Sequence, residues 1–366
     1  MALQFIDGFD HYFLTNDDGF QGGAAATGQK WDGNFFNGEM YPGTDKGRFG
    51  GSALRIRSSA GSASISKNII TPRDEFIVGF AYKPESVSVY TTEIAFTMSS
   101  GNKTTLKLRP STGMVVVDTQ FTANAVSSAA GVITTNVWHY IEFRIKEHST
   151  LGEVEVKVNE VTVATLTGIN TGADGGLMTL LTIASTNNLQ IDHIDDLYLL
   201  DRTGADNNNF LGGCRIDTLH TVGNGGTNDF TLFEDGEQPE YDILSNFSAV
   251  RNEGLTTIGR DHNYVESGIV GASEDYNNNT FTQLGNIFGV QVVNNSRSTS
   301  TGELTYKDEM VIAGTAYDNG SPVIAVNGDY HMSTFIRDTD PSDDASWTTE
   351  KVNAVGSGFT IVTREI

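Results

Sequence analysis

Apolar and polar residues alternate in short runs along this chain, between clusters of Gly, Asn, Asp and Ser, and helical periodicity is nearly absent. The pattern predicts an all-β protein. Residues 55–57, 76–82, 93–98, 105–108, 114–117, 138–145, 154–159, 162–166 and 191–200 are the candidate strands of the first half. In the run from Trp138 to Ile145, alternation puts Trp138, Tyr140, Glu142 and Arg144 on one face. His139, Ile141, Phe143 and Ile145 take the other, and one of the two faces is core. A turn at 149–152 and a tight Asn159-Glu160 connection continue that strand into an antiparallel meander.

Residues 201–209 are polar and turn-forming, which predicts a division into two β-sandwich domains, 1–205 and 206–366. The second half is expected to hold strands at 214–221, 242–244, 264–270, 288–293, 309–316 and 331–337. Helical turns are expected within 280–293 and 347–355. Residues 206–366 hold 24 of the 46 acidic groups but 8 of the 23 basic ones, so this half is the more acidic.

A net charge of −23 argues against nucleic-acid and membrane-surface partners, since no basic patch stands out in the sequence. One cysteine, Cys214, rules out an internal disulfide and a thiolate zinc site. It is expected as a small core residue. With no apolar run of roughly 18 residues and no leader pattern in the opening residues, the chain reads as soluble and without a secretory signal.

Several motifs, taken in order, carry a resemblance. They are Phe5-Ile-Asp-Gly-Phe-Asp10, Gly47-Arg-Phe-Gly-Gly-Ser-Ala-Leu54, Trp138-His-Tyr-Ile-Glu142, a Val-x-Val-x-Val-Asn159 hairpin and Ile194-Asp-Asp-Leu-Tyr198. Together they resemble the concanavalin A-like (laminin G-type) jelly roll. With the stretches Asn209 to Leu219 and Trp347 to Ala354, the chain is similar to tailed-bacteriophage virion proteins that begin with such a domain. The resemblance implies a non-enzymatic virion structural protein, a capsid or tail decoration with a lectin-like surface, made in the host cytoplasm and carried on the particle. Its implied partners are other virion proteins, further copies of the chain in a homo-oligomer, and a host surface glycan. The alternatives it leaves are a host-glycan-binding tail adhesin and a polysaccharide depolymerase.

The fold also serves enzymes, so catalytic patterns were sought. The Glu-x-Asp-x-x-Glu pattern of glucanases, which sets acid and nucleophile on one strand face, is absent; the nearest fragment, Glu240-Tyr-Asp242, has Ser245 in the third place. Nucleophile-elbow, zincin, Walker and dinucleotide patterns are absent too. No enzyme activity and no cofactor are expected. Oxygen-rich stretches at 16–19, 192–196 and 338–344 read first as turns, and no metal site is assigned to them. For a ligand, the expected contacts are Trp31, Phe35, Phe36 and Tyr41, aromatics in a Gly/Asn-rich loop at 28–51 that could stack on a sugar ring.

Overall fold

The computed structural model describes residues 2–11, 30–36, 39–43, 46–57, 63–85, 91–185, 191–234, 263–267, 269–296, 304–320, 322–325 and 331–364. Tertiary contacts divide the chain into two units, Met1–Asp217 and Thr218–Ile366.

The first unit opens with β1 (Leu3–Asp7), β2 (Gly33–Phe36), β3 (Glu39–Gly43), β4 (Ala53–Arg57) and β5 (Ala63–Arg73). It continues with β6 (Glu75–Pro84), β7 (Thr92–Met98), β8 (Lys103–Arg109), β9 (Met114–Thr119) and β10 (Thr122–Ser127). The last strands are β11 (His139–Lys146), β12 (Gly152–Val158), β13 (Val161–Ile169), β14 (Met178–Ser185) and β15 (Ile191–Asp201). They form two antiparallel sheets. Sheet A runs β13-β12-β11-β6-β15-β4-β3, with β1 also on β15, and sheet B runs β10-β9-β8-β7-β14-β5-β2. This is the concanavalin A-like jelly roll.

Alternation decides what fills the space between the sheets. Phe76, Val78, Phe80 and Tyr82 of β6 and Ile141, Phe143 and Ile145 of β11 are fully buried, as are Ile94 and Phe96 of β7. Phe96 meets Phe76 and Phe143 across the layers, with ring centroids 6.0 and 6.1 Å apart. Each such ring contributes about 1.5–3 kcal/mol by leaving water. The inward phase of β6 turns Ile77, Gly79, Ala81 and Lys83 to the outer face of sheet A.

The second unit holds β16 (Thr221–Asn228), β17 (Thr231–Glu234), β18 (Asn263–Glu266), β19 (Ser273–Asn278) and β20 (Val290–Ser296). After these come β21 (Leu304–Ile312), β22 (Thr315–Tyr317), β23 (Val323–Ala325), β24 (His331–Arg337), a short helix α1 (Thr349–Asn353) and β25 (Val355–Arg364). One sheet runs β16-β19-β25-β21-β22, with β23 on β21, and β20 pairs with β24. Val292 and Phe335 of that ladder pack with Met310, Trp347, Val352 and Val355, closing a second β-sandwich. Thr348 caps α1 by accepting from the Lys351 amide.

Three expectations change. Residues 214–220 join no strand ladder, and 280–289 make no helix. The candidate strand at 242–244 lies outside the described residues. The division falls after Asp217 instead of after 205 because Leu211, Gly212 and Ile216 are hydrogen-bonded to β11 and β15 of sheet A. Among the described residues no helix is long and apolar enough to cross a membrane.

Candidate functional site

Strand register on the outer face of sheet A brings together residues far apart in sequence. Arg55 on β4 is paired with His193 on β15, and His193 with Lys83 on β6. Tyr82 is paired with His139, so Trp138 stands beside Lys83. Arg55, His193, Lys83 and Trp138 thus form one row across four neighbouring strands, about 14 Å long from three intervals of roughly 4.8 Å. Lys83 Nζ lies 5.1 Å from the Trp138 ring centroid, and the His193 ring lies 6.5 Å from it. Arg55, Lys83 and Trp138 are half-buried; His193 is buried beneath them.

His193 is fixed by its 2.7 Å contact between Nε2 and Glu85 Oε1. Burial drives its pKa down to about 4 against the pull of Glu85, with Lys83 and Arg55 adding to the shift. The imidazole is therefore neutral at pH 7; its Nε2–H donates to Glu85, and Nδ1 has no hydrogen-bond partner among the described residues. The positive charge of Lys46, exposed on the β3–β4 connection, reaches the same carboxylate.

Farther along the face, a buried polar cluster carries the covering segment. Tyr198 Oη donates to Glu142 Oε1 at 2.6 Å, and Tyr140 Oη donates to the Asp196 carbonyl at 3.0 Å. Gly212 N–H donates to Glu142 Oε1 at 2.9 Å, Ile216 N–H to Asp196 Oδ1 at 2.8 Å, and Arg48 to the Cys214 carbonyl at 2.9 Å. Lys157 Nζ lies 4.1 Å from the Phe210 ring centroid. Residues 210–216 thus cross β12, β11 and β15, leaving the Arg55–Trp138 row outside the cover. Beneath it, burial pushes the Cys214 thiol up to about 12. Cys214 is a half-buried residue of this segment and not of a strand.

Asp195 and Asp196 stand at a bulge in β15, with Asp196 at φ 51°. Burial and the neighbouring acid raise Asp195 to about 8; burial raises Asp196 to about 6, although Arg48 and the Ile216 amide favour its ionised form. Asp192 points the other way, into the sandwich, where Tyr82 and Thr92 donate to it. The stretch 192–196 is therefore split between two faces. Among the described residues, no three His, Cys, Asp or Glu side chains are grouped to hold a metal ion. Asp340 instead closes a turn through Ser342 and meets Lys351, while 16–19 lies outside the described residues.

Of the expected ligand contacts, Trp31 is a core residue. It is 0 % exposed, donates to Asp7 Oδ2 at 2.9 Å and packs on Phe5 and Phe9, so it presents no face to a ligand. The loop reading of 28–51 gives way to two strands: Phe35 and Phe36 lie on β2 of sheet B and Tyr41 on β3 of sheet A. Their side chains lie outside the described residues. What the sequence reading missed is Arg55, Lys83 and His193, although it grouped Trp138 with Tyr140, Glu142 and Arg144 on one face. Alternation would orient each of them; nothing local says which strands become neighbours.

No protein family and no curated protein matches the sequence. Solved structures do. Endo-β-1,4-glucuronan lyase from the fungus Trichoderma reesei aligns at 14% identity and TM-score 0.36, over 52% of this chain and 95% of its own. Alginate lyase Aly36B aligns at 14% and 0.39, over 55% and 96%, and Bacillus licheniformis β-glucanase at 12% and 0.34, over 54% and 96%. Lectins and a carbohydrate-binding module are among the further matches. At such identities the likeness concerns the fold alone: an all-β jelly roll of the lectin and glucanase type. The expectation of a non-enzymatic bacteriophage virion structural protein or a tail adhesin is corrected: the first structures matched are polysaccharide lyases, and none of those named here is a phage particle protein.

Proposed function

We propose that the first unit is a glycan-binding domain whose site is the row Arg55, His193, Lys83 and Trp138. One observation carries the reading: the register of four adjacent strands sets an indole ring and three nitrogen-bearing side chains side by side on a rigid face. A row about 14 Å long, running across the strands, suits an extended ligand of two or three sugar rings. An indole offers its face to the apolar side of a pyranose, and polar groups beside it meet the hydroxyls. We propose binding; hydrolysis of a glycosidic bond would need two carboxylates set across it, and the product-release arm of the experiment reads turnover by any route, elimination included. Glu85, the carboxylate that meets the row among the described residues, is engaged by His193.

The test is affinity electrophoresis of the full chain through gels containing soluble polysaccharides, with product release followed in parallel. Retardation by at least one polymer, abolished by Trp138→Ala and without product, is the expected result. Retardation that survives Trp138→Ala, or none with any polymer, overturns the site; released product replaces binding by turnover.

A further inference from the structure

We propose that residues 210–216 are an autoinhibitory strap: they occupy the part of the sheet A face that adjoins the Arg55–Trp138 row, and a glycan chain that extends past the row displaces them. The inference rests on the glycan-binding reading of that row and adds its regulation. Register places the strap's floor beside the row. From Trp138 and Lys83, the next outward positions on β11 and β6 are Tyr140 and Ala81, and after them Glu142 and Gly79, in steps of about 7 Å. On β15 the same step leads from His193 to Asp195, paired with Ala81, and past the bulge to Tyr198, paired with Gly79.

The strap is held as a ligand would be. Leu211 N–H donates to Tyr198 Oη at 3.3 Å, Gly212 N–H to Glu142 Oε1 at 2.9 Å and Ile216 N–H to Asp196 Oδ1 at 2.8 Å. All three acceptors are side chains of the face, and a sugar hydroxyl donates to the same oxygens. Exchanging amide for hydroxyl keeps both acids satisfied, so displacement leaves no orphaned carboxylate. Arg48, donating to the Cys214 carbonyl, and the Lys157–Phe210 pair add two further contacts. Apolar burial adds little: no residue from 202 to 220 is buried, whereas Glu142, Asp196 and Tyr198 beneath are 1, 2 and 2 % exposed. A segment held by a few polar bonds over a dry floor belongs to the part of a fold that opens first. Strap and chain then compete for one floor, and each weakens the other by the same factor.

The experiment reads the strap through Cys214, the single cysteine, with a small thiol reagent on the full chain at fixed pH. The probes are dextran, xylan and a polyuronate, each as trisaccharide and as polymer. The expected result is that a polymer that binds speeds the labelling of Cys214 roughly fivefold or more, while its trisaccharide does not. Two variants loosen the strap at separate points. Gly212→Ala strains a residue at φ 78°, and Phe210→Ala removes the Lys157 contact. Both label faster without ligand and bind the polymer more tightly by a similar factor. If bound polymer leaves labelling unchanged or slows it, or if the variants label faster and bind no tighter, the strap is a fixed cover. The inference then fails while the glycan-binding reading stands. If neither variant labels faster, the strap is not displaceable and the inference fails likewise. Equal acceleration by trisaccharide and polymer overturns the overlap of strap and chain. If no polymer binds the parent or a loosened variant, the underlying reading fails first, and the inference with it. Circular dichroism of each variant shows that the fold is kept.

Discussion

The Tyr198 hydroxyl donates to Glu142 Oε1 at 2.6 Å, and the same oxygen accepts the Gly212 amide at 2.9 Å. One buried carboxylate therefore joins β15, β11 and the covering segment. Burial holds the Tyr198 phenol well above its ordinary pKa, so it remains a donor across the working range. Tyr198→Phe takes one donor from a 1 % exposed Glu142 and costs about 1–3 kcal/mol. It also loosens residues 210–216, so Cys214 reacts faster with a thiol reagent than in the parent protein. Equal labelling rates would mean that the segment is held by its other contacts.

Gly79 sits on β6 under the Tyr198 ring. A Cβ built there lies 2.2 Å from Tyr198 Cε1, closer than packing allows. Gly79→Ala is expected to destabilise by about 1–3 kcal/mol through overpacking. Combined with Tyr198→Ala it should cost less than the two single changes together, because the clash has gone. Urea midpoints of the four proteins measure the coupling; simple additivity would place the strain elsewhere.

Acidity enters through Asp195. Its pKa is about 8 in the folded protein against an ordinary 3.8, so the folded state binds more protons than the unfolded state between those values. Its contribution is fully present below 3.8 and is lost as pH rises through about 8. His193 works in the opposite sense below its ordinary 6.5, Lys30 does so as pH nears its value of about 8, and Asp10 and Asp196 titrate near 6, so the part due to Asp195 is read between 6.5 and 8 as the difference between the parent and Asp195→Asn. Across that window the Tm of the parent should fall as pH rises, and Asp195→Asn should flatten the slope. Parallel curves would show that Asp195 is already ionised.

At the N-terminal strand, Asp7 receives Trp31 Nε1 at 2.9 Å and lies 3.7 Å from the buried Lys30 ammonium, whose pKa burial lowers to about 8. Asp7→Asn leaves that ammonium without its carboxylate and should cost about 3 kcal/mol at pH 7. Hydrogen exchange should report it as faster exchange of residues 3–7. Trp31→Phe should lower Tm while glycan affinity is unchanged. A selective loss of affinity instead would return Trp31 to the binding surface.

Much of the architecture was legible. The alternation predicted strands at β6, β11 and β15 and divided 138–145 into two faces, and the structure places the face of Ile141, Phe143 and Ile145 in the core. That Trp138, Tyr140, Glu142 and Arg144 share a face was legible too, but which face turns outward and what covers it were not. The expected strand at 214–221 begins inside the covering segment, whereas the Gly212 and Ile216 amides answer to Glu142 and Asp196, 70 and 20 positions away in the chain.

What the sequence by itself determined is which residues are strands and which face each side chain takes, because a period of two is a local property of extended backbone. Tertiary structure alone decided that β6 lies between β11 and β15, and so that Arg55, His193, Lys83 and Trp138 form one row. The same long-range pairing sent Trp31 inward to Asp7. Strand pairing at such separations is selected by the packing of the whole sandwich, and no short stretch of residues encodes it.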